Sequence, residues 1–394
     1  MAGFPAARPA ADSSICPPPS ESDVRFLQRV SEFCREEVDP HTCDWDLAEE
    51  IPREVFSRAA AVGLCGMLAP VEFGGLGLSM QTYARAIQEV GKHDGALGMN
   101  LAAHNALLMG HILHHGSEKQ RRRWVPPLAG GASLGAWALT EPAAGSDASA
   151  LETTGTLQED GWRISGRKLF ITGGRRADVL VVIAVTGTAE NGRREISAFL
   201  VPGSGVQPVR KVPTLGMRAS DTAEIRLEGA QGELVGERGS GQKQFLSVLD
   251  QGRIGIAALA IGIGRAALET AIAWVKQRQV FLRPLADQQL VQAMLADNAT
   301  ELDAAELLTL RAAAMQDAGQ PTTKESAMAK LYASEAACRA CDSALQLHGG
   351  RGYSRDLPLE RYMRDARLCR IGEGASEVLR VVIAREIFGV TRRS

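Results

Sequence analysis

Apolar residues recur at helical spacing from Glu21 to about Gly130: Phe26, Val30 and Phe33, then Val55, Phe56, Ala59 and Ala60, then Tyr83, Ile87 and Val90. Leu107, Leu108, Ile112 and Leu113 continue the pattern, and a loop at Pro70–Gly77 punctuates it. Near Gly135 the period becomes two. Short runs at Trp162–Ile164, Lys168–Thr172, Val179–Val185, Ile196–Val201, Val206–Val212 and Glu224–Leu227 are separated by Gly, Asp and Asn. They predict about a hundred residues of antiparallel sheet. From about Gln242 the helical pattern returns in long alanine-rich segments and holds to the end. The expectation is an α+β chain, mostly α. It has an N-terminal α-helical domain over 21–134, a middle β-sheet domain over 135–241 and a C-terminal α-helical bundle over 242–394.

Composition narrows the field. The 394 residues carry 44 Lys+Arg against 46 Asp+Glu, a formal net charge of −2, which gives no broad pull toward nucleic acid or an anionic membrane. No apolar run approaches the roughly 18 uninterrupted residues of a membrane span. Residues 1–20 are rich in Ala, Pro and Ser with one arginine, Arg8, and read as a disordered lead-in. Seven scattered cysteines without a framework point to a reducing, cytoplasmic setting. Cys338 and Cys341 share an apolar helical stripe with Met328, Leu331 and Leu345 and read as buried thiols. His104, His111, His114 and His115 contain an i, i+4 pair but no H-E-x-x-H, so a mixed helix face is expected and no metal.

Other motifs fail. Gly236–Lys243 resembles a phosphate loop, but its lysine is one place late and the pattern shows no strand–loop–helix around it. Gly255, Gly262 and Gly264 lie in a helical pattern and read as close-packing positions rather than a dinucleotide fingerprint. There is no G-x-S-x-G elbow.

Four segments do carry chemistry: Trp137–Asp147 (WALTEPAAGSD), Gly166–Gly173 (GRKLFITG), Asp250–Ala257 with Arg278–Leu285, and Gln346–Tyr353 running on to Arg370–Glu377 (RIGEGASE). Together, in order and in register from about Glu21 to Phe388, they resemble the acyl-CoA dehydrogenase family. The resemblance implies a C-terminal four-helix bundle and FAD as cofactor. It also implies removal of a Cα proton and a Cβ hydride from an acyl thioester, giving the trans-2-enoyl product.

By the same resemblance, Thr172 is the hydroxyl donor at the flavin edge, Leu139 and Thr140 lie along its pyrimidine end, and Phe170 stands where relatives pack a tryptophan. Arg278, Phe281, Gln289, Gln346, Gly349 and Gly350 match positions holding the pyrophosphate and adenine of a neighbouring subunit's FAD. Ser146, Ala375 and Glu377 also fall on the cofactor side. Ser146, Asp250, Arg253 and Gly374 match positions near the substrate. Glu373 matches the catalytic base; the family's other base position is Gly252, which cannot serve. The implied partners are an acyl-CoA or acyl-carrier-protein substrate, an electron-transfer flavoprotein or other acceptor, and further copies in a homotetramer.

Relatives commonly read I-Y-E-G-T where this chain has Gly372 and Ala375. Ala375 lacks a hydroxyl that touches FAD, and Gly372 lacks a ring beside the base, which predicts a wider pocket for a branched, cyclic or tethered acyl group. Alternatives on the same fold are dehydrogenation of a carrier-bound acyl group, an oxygen-using oxidase, and a flavin-binding assembly factor. Read locally, without the upstream segments, Glu373 is an ordinary helix-entry acid.

Overall fold

The structure, a computed structural model, describes residues 18–188 and 192–389. Most of the lead-in expected over 1–20 therefore lies outside the described residues. Helix α1 (Glu21–Phe33) starts at a capping box in which Ser20 and Asp23 exchange side-chain and backbone hydrogen bonds, and it buries Phe26, Val30 and Phe33. Helices α2 (Thr42–Ala48), α3 (Arg53–Val62) and α4 (Met80–His93) follow. Asp94 caps α5 (Gly95–Ala102) by accepting the Leu97 N–H at 2.7 Å. The chain then widens into a fully buried π-helical run, Ala103–Met109, before α6 (Gly110–His115) and α7 (Glu118–Ala129). Such runs are rare and favour functional sites.

Seven strands make the middle sheet: β1 (Gly135–Ala138), β2 (Thr154–Gln158), β3 (Gly161–Thr172), β4 (Val179–Thr188), β5 (Arg194–Pro202), β6 (Gln207–Lys211) and β7 (Thr222–Val235). The order β4-β2-β3-β7-β5 closes on itself through β4–β5, and β1 and β6 add at β4 and β7. The sheet is not wholly antiparallel, because β1 runs parallel to β4 and β2 meets β4 at one parallel pair. The two runs expected at Trp162–Ile164 and Lys168–Thr172 are one strand, β3, interrupted by irregularities. On β4 the alternation serves two cores. Val179, Val181 and Ile183 pack toward Leu108, Ile112 and Leu128 of the helices. Leu180, Val182 and Ala184 join Ile164, Ile171 and Phe199 within the sheet's own core.

Gly236–Ser240 does connect a strand, β7, to a helix, contrary to the sequence expectation. Two of its amides already have protein partners, however: Gly239 N–H donates to Ser197 on β5 and Ser240 N–H to the Glu237 carbonyl.

Helix α8 (Gly241–Gln277) leads the C-terminal part, followed by a small hairpin of β8 (Gln279–Val280) and β9 (Arg283–Pro284). Then come α9 (Gln289–Asp317), α10 (Thr323–His348), α11 (Leu359–Cys369) and α12 (Ser376–Phe388). By length and composition α8 could cross a membrane, with a window of mean hydropathy 1.6, but 72 % of that window is buried inside the protein. Its apolarity is that of a core helix. A Cβ at Gly262 would run into the Gln88 carbonyl on α4, and one at Gly264 would come 3.2 Å from the Ala337 Cα on α10. The glycines thus let three helices approach closely.

Asp46 joins all three parts. Its carboxylate accepts from Arg218 in the loop before β7 and, at 2.8 Å, from Arg364 on α11.

Candidate active site

The flavin-side residues expected from the sequence gather at one end of the sheet. Lys168, fully buried on β3, donates to the Leu139 carbonyl at 3.0 Å, the Ile183 carbonyl at 2.7 Å and Glu141 Oε1 at 2.7 Å. The Glu141 carboxylate also accepts the Glu152 and Thr153 amides. Burial draws the Lys168 ammonium down to about 8, against the opposing pull of Glu141. This clamp fixes Leu139–Glu141, and Leu169 N–H donates to the Thr140 carbonyl at 2.9 Å. Next along β3, Phe170 sits at a break in register with φ 59°. It is 57 % exposed beside buried Ile171, so an aromatic face is left without cover. Thr172 ends the strand half-buried. Ser146 lies exposed in the turn between β1 and β2.

A second group forms at the far end of α8. Arg278 follows α8, Phe281 tips the hairpin at 89 % exposure, and Gln289 opens α9. Gln346, Gly349 and Gly350 end α10 nearby, since Trp274 stacks on His348 with ring centres 4.9 Å apart and Arg278 and Arg351 lie over the Trp274 ring. Nothing lies within 4 Å of a Cβ placed on Gly349 or Gly350, so this backbone is open to approach. From Gly252 to Arg278 along α8 is roughly 40 Å at 1.5 Å per residue. One chain therefore does not bring this group to Glu373.

Glu373 stands in a closed loop between α11 and α12. The Ile371 and Gly372 amides both donate to the Leu368 carbonyl, and Ser376 N–H donates to the Arg370 carbonyl. Glu373 and Gly374 are both left-handed, φ 53° and 106°. Such a conformation is uncommon for glutamate. It turns the side chain inward, so that both carboxylate oxygens are out of solvent and without a hydrogen-bond partner, although the residue as a whole is half-buried. A Cβ on residue 252 would strike Glu373 Oε2 and come 2.6 Å from Leu107 Cδ2 of the π-helical run. Gly252 is thus what leaves room for the carboxylate. Burial pushes the Glu373 carboxyl up to about 7, against the opposing pull of Lys330 and Arg253.

Asp250 and Arg253 are not surface groups. Asp250 accepts from Arg253 at 2.8 Å and from Thr323 on α10 at 2.7 Å, and Arg253 is buried. Ala375 is the residue just before α12, and Glu377 is exposed in its first turn.

The histidines form a helix-face network. Trp137 Nε1–H donates to His111 Nδ1 at 3.2 Å, which leaves His111 Nε2–H to donate to Gln244 Oε1 at 3.0 Å. Burial holds His111 down at about 3, so it is neutral. Among the described residues no cluster of His, Cys, Asp and Glu could hold a metal ion.

Two residues at the site escaped the sequence reading. Lys330 on α10 is fully buried and donates to the Gly374 carbonyl at 2.6 Å. Tyr83 on α4 is fully buried, and its hydroxyl would lie 2.5 Å from a Cβ on Gly255. A lysine in the stripe Ala327, Lys330, Ser334, Ala337, Cys341 was the available signal for the first. Tyr83 gave none beyond its core periodicity.

Models of the acyl-CoA dehydrogenase N-terminal, middle and C-terminal domains match residues 20–132, 136–230 and 239–388. A probable acyl-CoA dehydrogenase of Bacillus subtilis, YngJ, is 42 % identical over 365 residues, 91 % of this chain and 96 % of that protein. The mitochondrial short-chain specific acyl-CoA dehydrogenase of Rattus norvegicus is 40 % identical over 369 residues, 92 % of this chain and 89 % of that protein. The solved structure of butyryl-CoA dehydrogenase from Megasphaera elsdenii superposes with a TM-score of 0.92 at 33 % identity, covering 94 % of this chain and 99 % of that one.

Proposed function

The chain belongs to the acyl-CoA dehydrogenase family and is an oxidoreductase acting on an acyl-CoA; from that premise we propose that it converts the acyl thioester to its trans-2-enoyl product with Glu373 as catalytic base. The observation that carries this reading is the Glu373 carboxylate, buried, unpartnered and pressed against the space left by Gly252. A thioester Cα–H is a very weak acid, so its acceptor must sit dry, close and ionised near neutral pH. A carboxyl raised to about 7 is matched to that work.

The family binds FAD, and the residues present fit it. Phe170 offers an uncovered aromatic face, Gly349 and Gly350 an open backbone, and Arg278 an exposed guanidinium for a diphosphate. We assign Leu139, Thr140, Ser146, Phe170, Thr172, Ala375 and Glu377 to one subunit's share of the cofactor. Arg278, Phe281, Gln289, Gln346, Gly349 and Gly350 are a neighbour's share. Bound FAD supplies the acceptor for the Cβ hydride. Glu373 takes the Cα proton on its carboxylate, and its backbone N–H with Gly374 orients the thioester carbonyl. The π-helical wall at Ala103 and Leu107 excludes water from the base. Arg253 and Asp250 act at the substrate, and the Arg253 charge also bears on the base.

At Gly372 an added Cβ would meet only Leu368, at 3.7 Å and beyond. The missing side chain supports an acyl pocket that admits a branched, cyclic or tethered group. We take the working form to be a cytoplasmic homotetramer that passes electrons to an electron-transfer flavoprotein. Anaerobic titration of the yellow protein with a panel of acyl-CoAs is expected to bleach the flavin absorbance. Glu373→Gln is expected to keep the flavin and lose the bleaching by ~10³-fold in rate. Unchanged bleaching in that variant overturns the assignment.

A further inference from the structure

Lys330 lies on the buried face of α10 with Ala327, Ala333 and Ala337, and Ala337 there abuts Gly264 of α8. An ammonium in such a place is costly to desolvate, and here it bonds to a backbone carbonyl rather than to a carboxylate. That carbonyl belongs to Gly374, the second of the two left-handed residues that turn Glu373 inward. We propose that Lys330 is a positioning residue for the base: its ammonium locks the Glu373–Gly374 turn and its field keeps the Glu373 carboxylate ionised. This rests on the reading of Glu373 as base.

The groups facing Glu373 from each packed element support it. From α8 comes Arg253, but its charge is shared with Asp250. From α4 comes Tyr83, whose phenol burial keeps neutral, and from the end of α11 comes Cys369, whose thiol burial pushes up to about 12. From α10 comes Lys330. Lys330 itself is faced by Cys369, Glu373, Arg253 and Glu335. Glu335 is engaged by Arg370 at 3.0 Å and by the Ser376 hydroxyl at 2.9 Å. Lys330 is therefore the cation whose field falls on Glu373 without a carboxylate partner of its own. Burial draws Lys330 down to about 8, so it still carries its charge at neutral pH.

The test uses flavin-loaded protein and two neutral variants. Lys330→Gln keeps a donor for the Gly374 carbonyl and loses the charge; Lys330→Met loses both at similar length. The acid limb of kcat/KM against pH is expected near 7 in the parent and about one pH unit higher in both variants, the usual effect of removing one nearby opposite charge. At pH 7 that is a roughly 5-fold loss in Lys330→Gln. Infrared difference spectra without substrate give the second readout. The protonated-carboxyl band that Glu373→Gln removes is expected to persist to higher pH in both variants. A limb and a band that stay in place in Lys330→Gln overturn this proposal alone. Turnover persisting in Glu373→Gln overturns the reading beneath it, and this proposal with it.

Discussion

Burying a carboxyl with no donor to meet it costs stability, and the sign can be worked through at Glu373. Its folded carboxyl titrates near 7, above the ordinary 4.5, so between those values the folded state holds more protons than the unfolded one. Stability contributed at this position therefore falls as pH rises from about 4.5 to about 7. Glu373→Gln removes the charge and keeps the shape, and is expected to raise the stability of ligand-free protein at pH 7.5 by ~2 kcal/mol, with little gain at pH 5. Paired urea melts at the two pH values check it, and an equal effect at both would contradict the burial account. Gly252→Ala makes the complementary case. Alanine favours a helix interior over glycine by up to ~1 kcal/mol. Here, however, its Cβ would run into Glu373 and Leu107, an overpacking that costs about 1–3 kcal/mol, so the melting temperature is expected to fall by a few degrees. Its Cβ occupies the space of the carboxylate, and kcat/KM is expected to fall by ~10²-fold, as for a misplaced reacting group. Both residues were legible in the sequence, because motif register pointed to Glu373 and excluded Gly252 as a base. What register could not show is that Gly252 makes the room. Lys330 and Tyr83 were hidden for a different reason: periodicity marks a buried face without saying which polar atom on it faces a site.

At the scale of elements, the clamp made by Lys168 ties three pieces of sheet together: the segment after β1, β3 itself and β4. Lys168→Met leaves the Glu141 carboxylate buried without its cation, and is expected to cost about 3–5 kcal/mol. Adding Glu141→Leu should recover part of that loss, since a buried pair replaced together is far less costly than one broken. Chemical denaturation of the single and double variants measures both. Helices and long strands were readable because their faces repeat. The shorter β1 and β2 were not: Gly135–Ala138 has two small core positions, and Thr154–Gln158 buries only Gly155. The parallel partner of β1 was equally invisible, since pairing direction depends on what the chain does between strands. The strand–loop–helix at Gly236–Ser240 was missed because β7 is interrupted midway by exposed Glu228 and Gly229, where its period-two pattern stops at Leu227, although the strand runs on to Val235.

The whole molecule holds its site at a junction of three parts, and Asp46 is where that junction can be probed. Its side chain comes from α2, while Arg218 belongs to the sheet part and Arg364 to α11. Burial raises the Asp46 carboxyl, but the hydrogen bonds and charges of the two arginines outweigh this and hold it at about 2. A depressed carboxyl stabilises the fold above its unfolded value of 3.8, and that contribution fades as pH drops from about 4 to about 2. With allowance for screening by nearby water, it comes to about 1–2 kcal/mol. Asp46→Asn keeps the shape and loses the charge. It is expected to lower the urea midpoint at pH 7, and the gap to the parent should close as the acid range is entered. Arg364 retains Glu360 on its own helix at 2.6 Å, so α11 itself should stay folded. The junction also borders the site, because Asp365, next to Arg364, accepts the Met217 amide, and α11 ends at Cys369, four residues before Glu373. A loosened junction should therefore show as faster amide exchange in 215–221 and 365–374 and as a modest fall in kcat, without displacement of the acid limb near 7. If that limb moved in Asp46→Asn, the three-part joint would be acting on the charge of the base rather than on its placement.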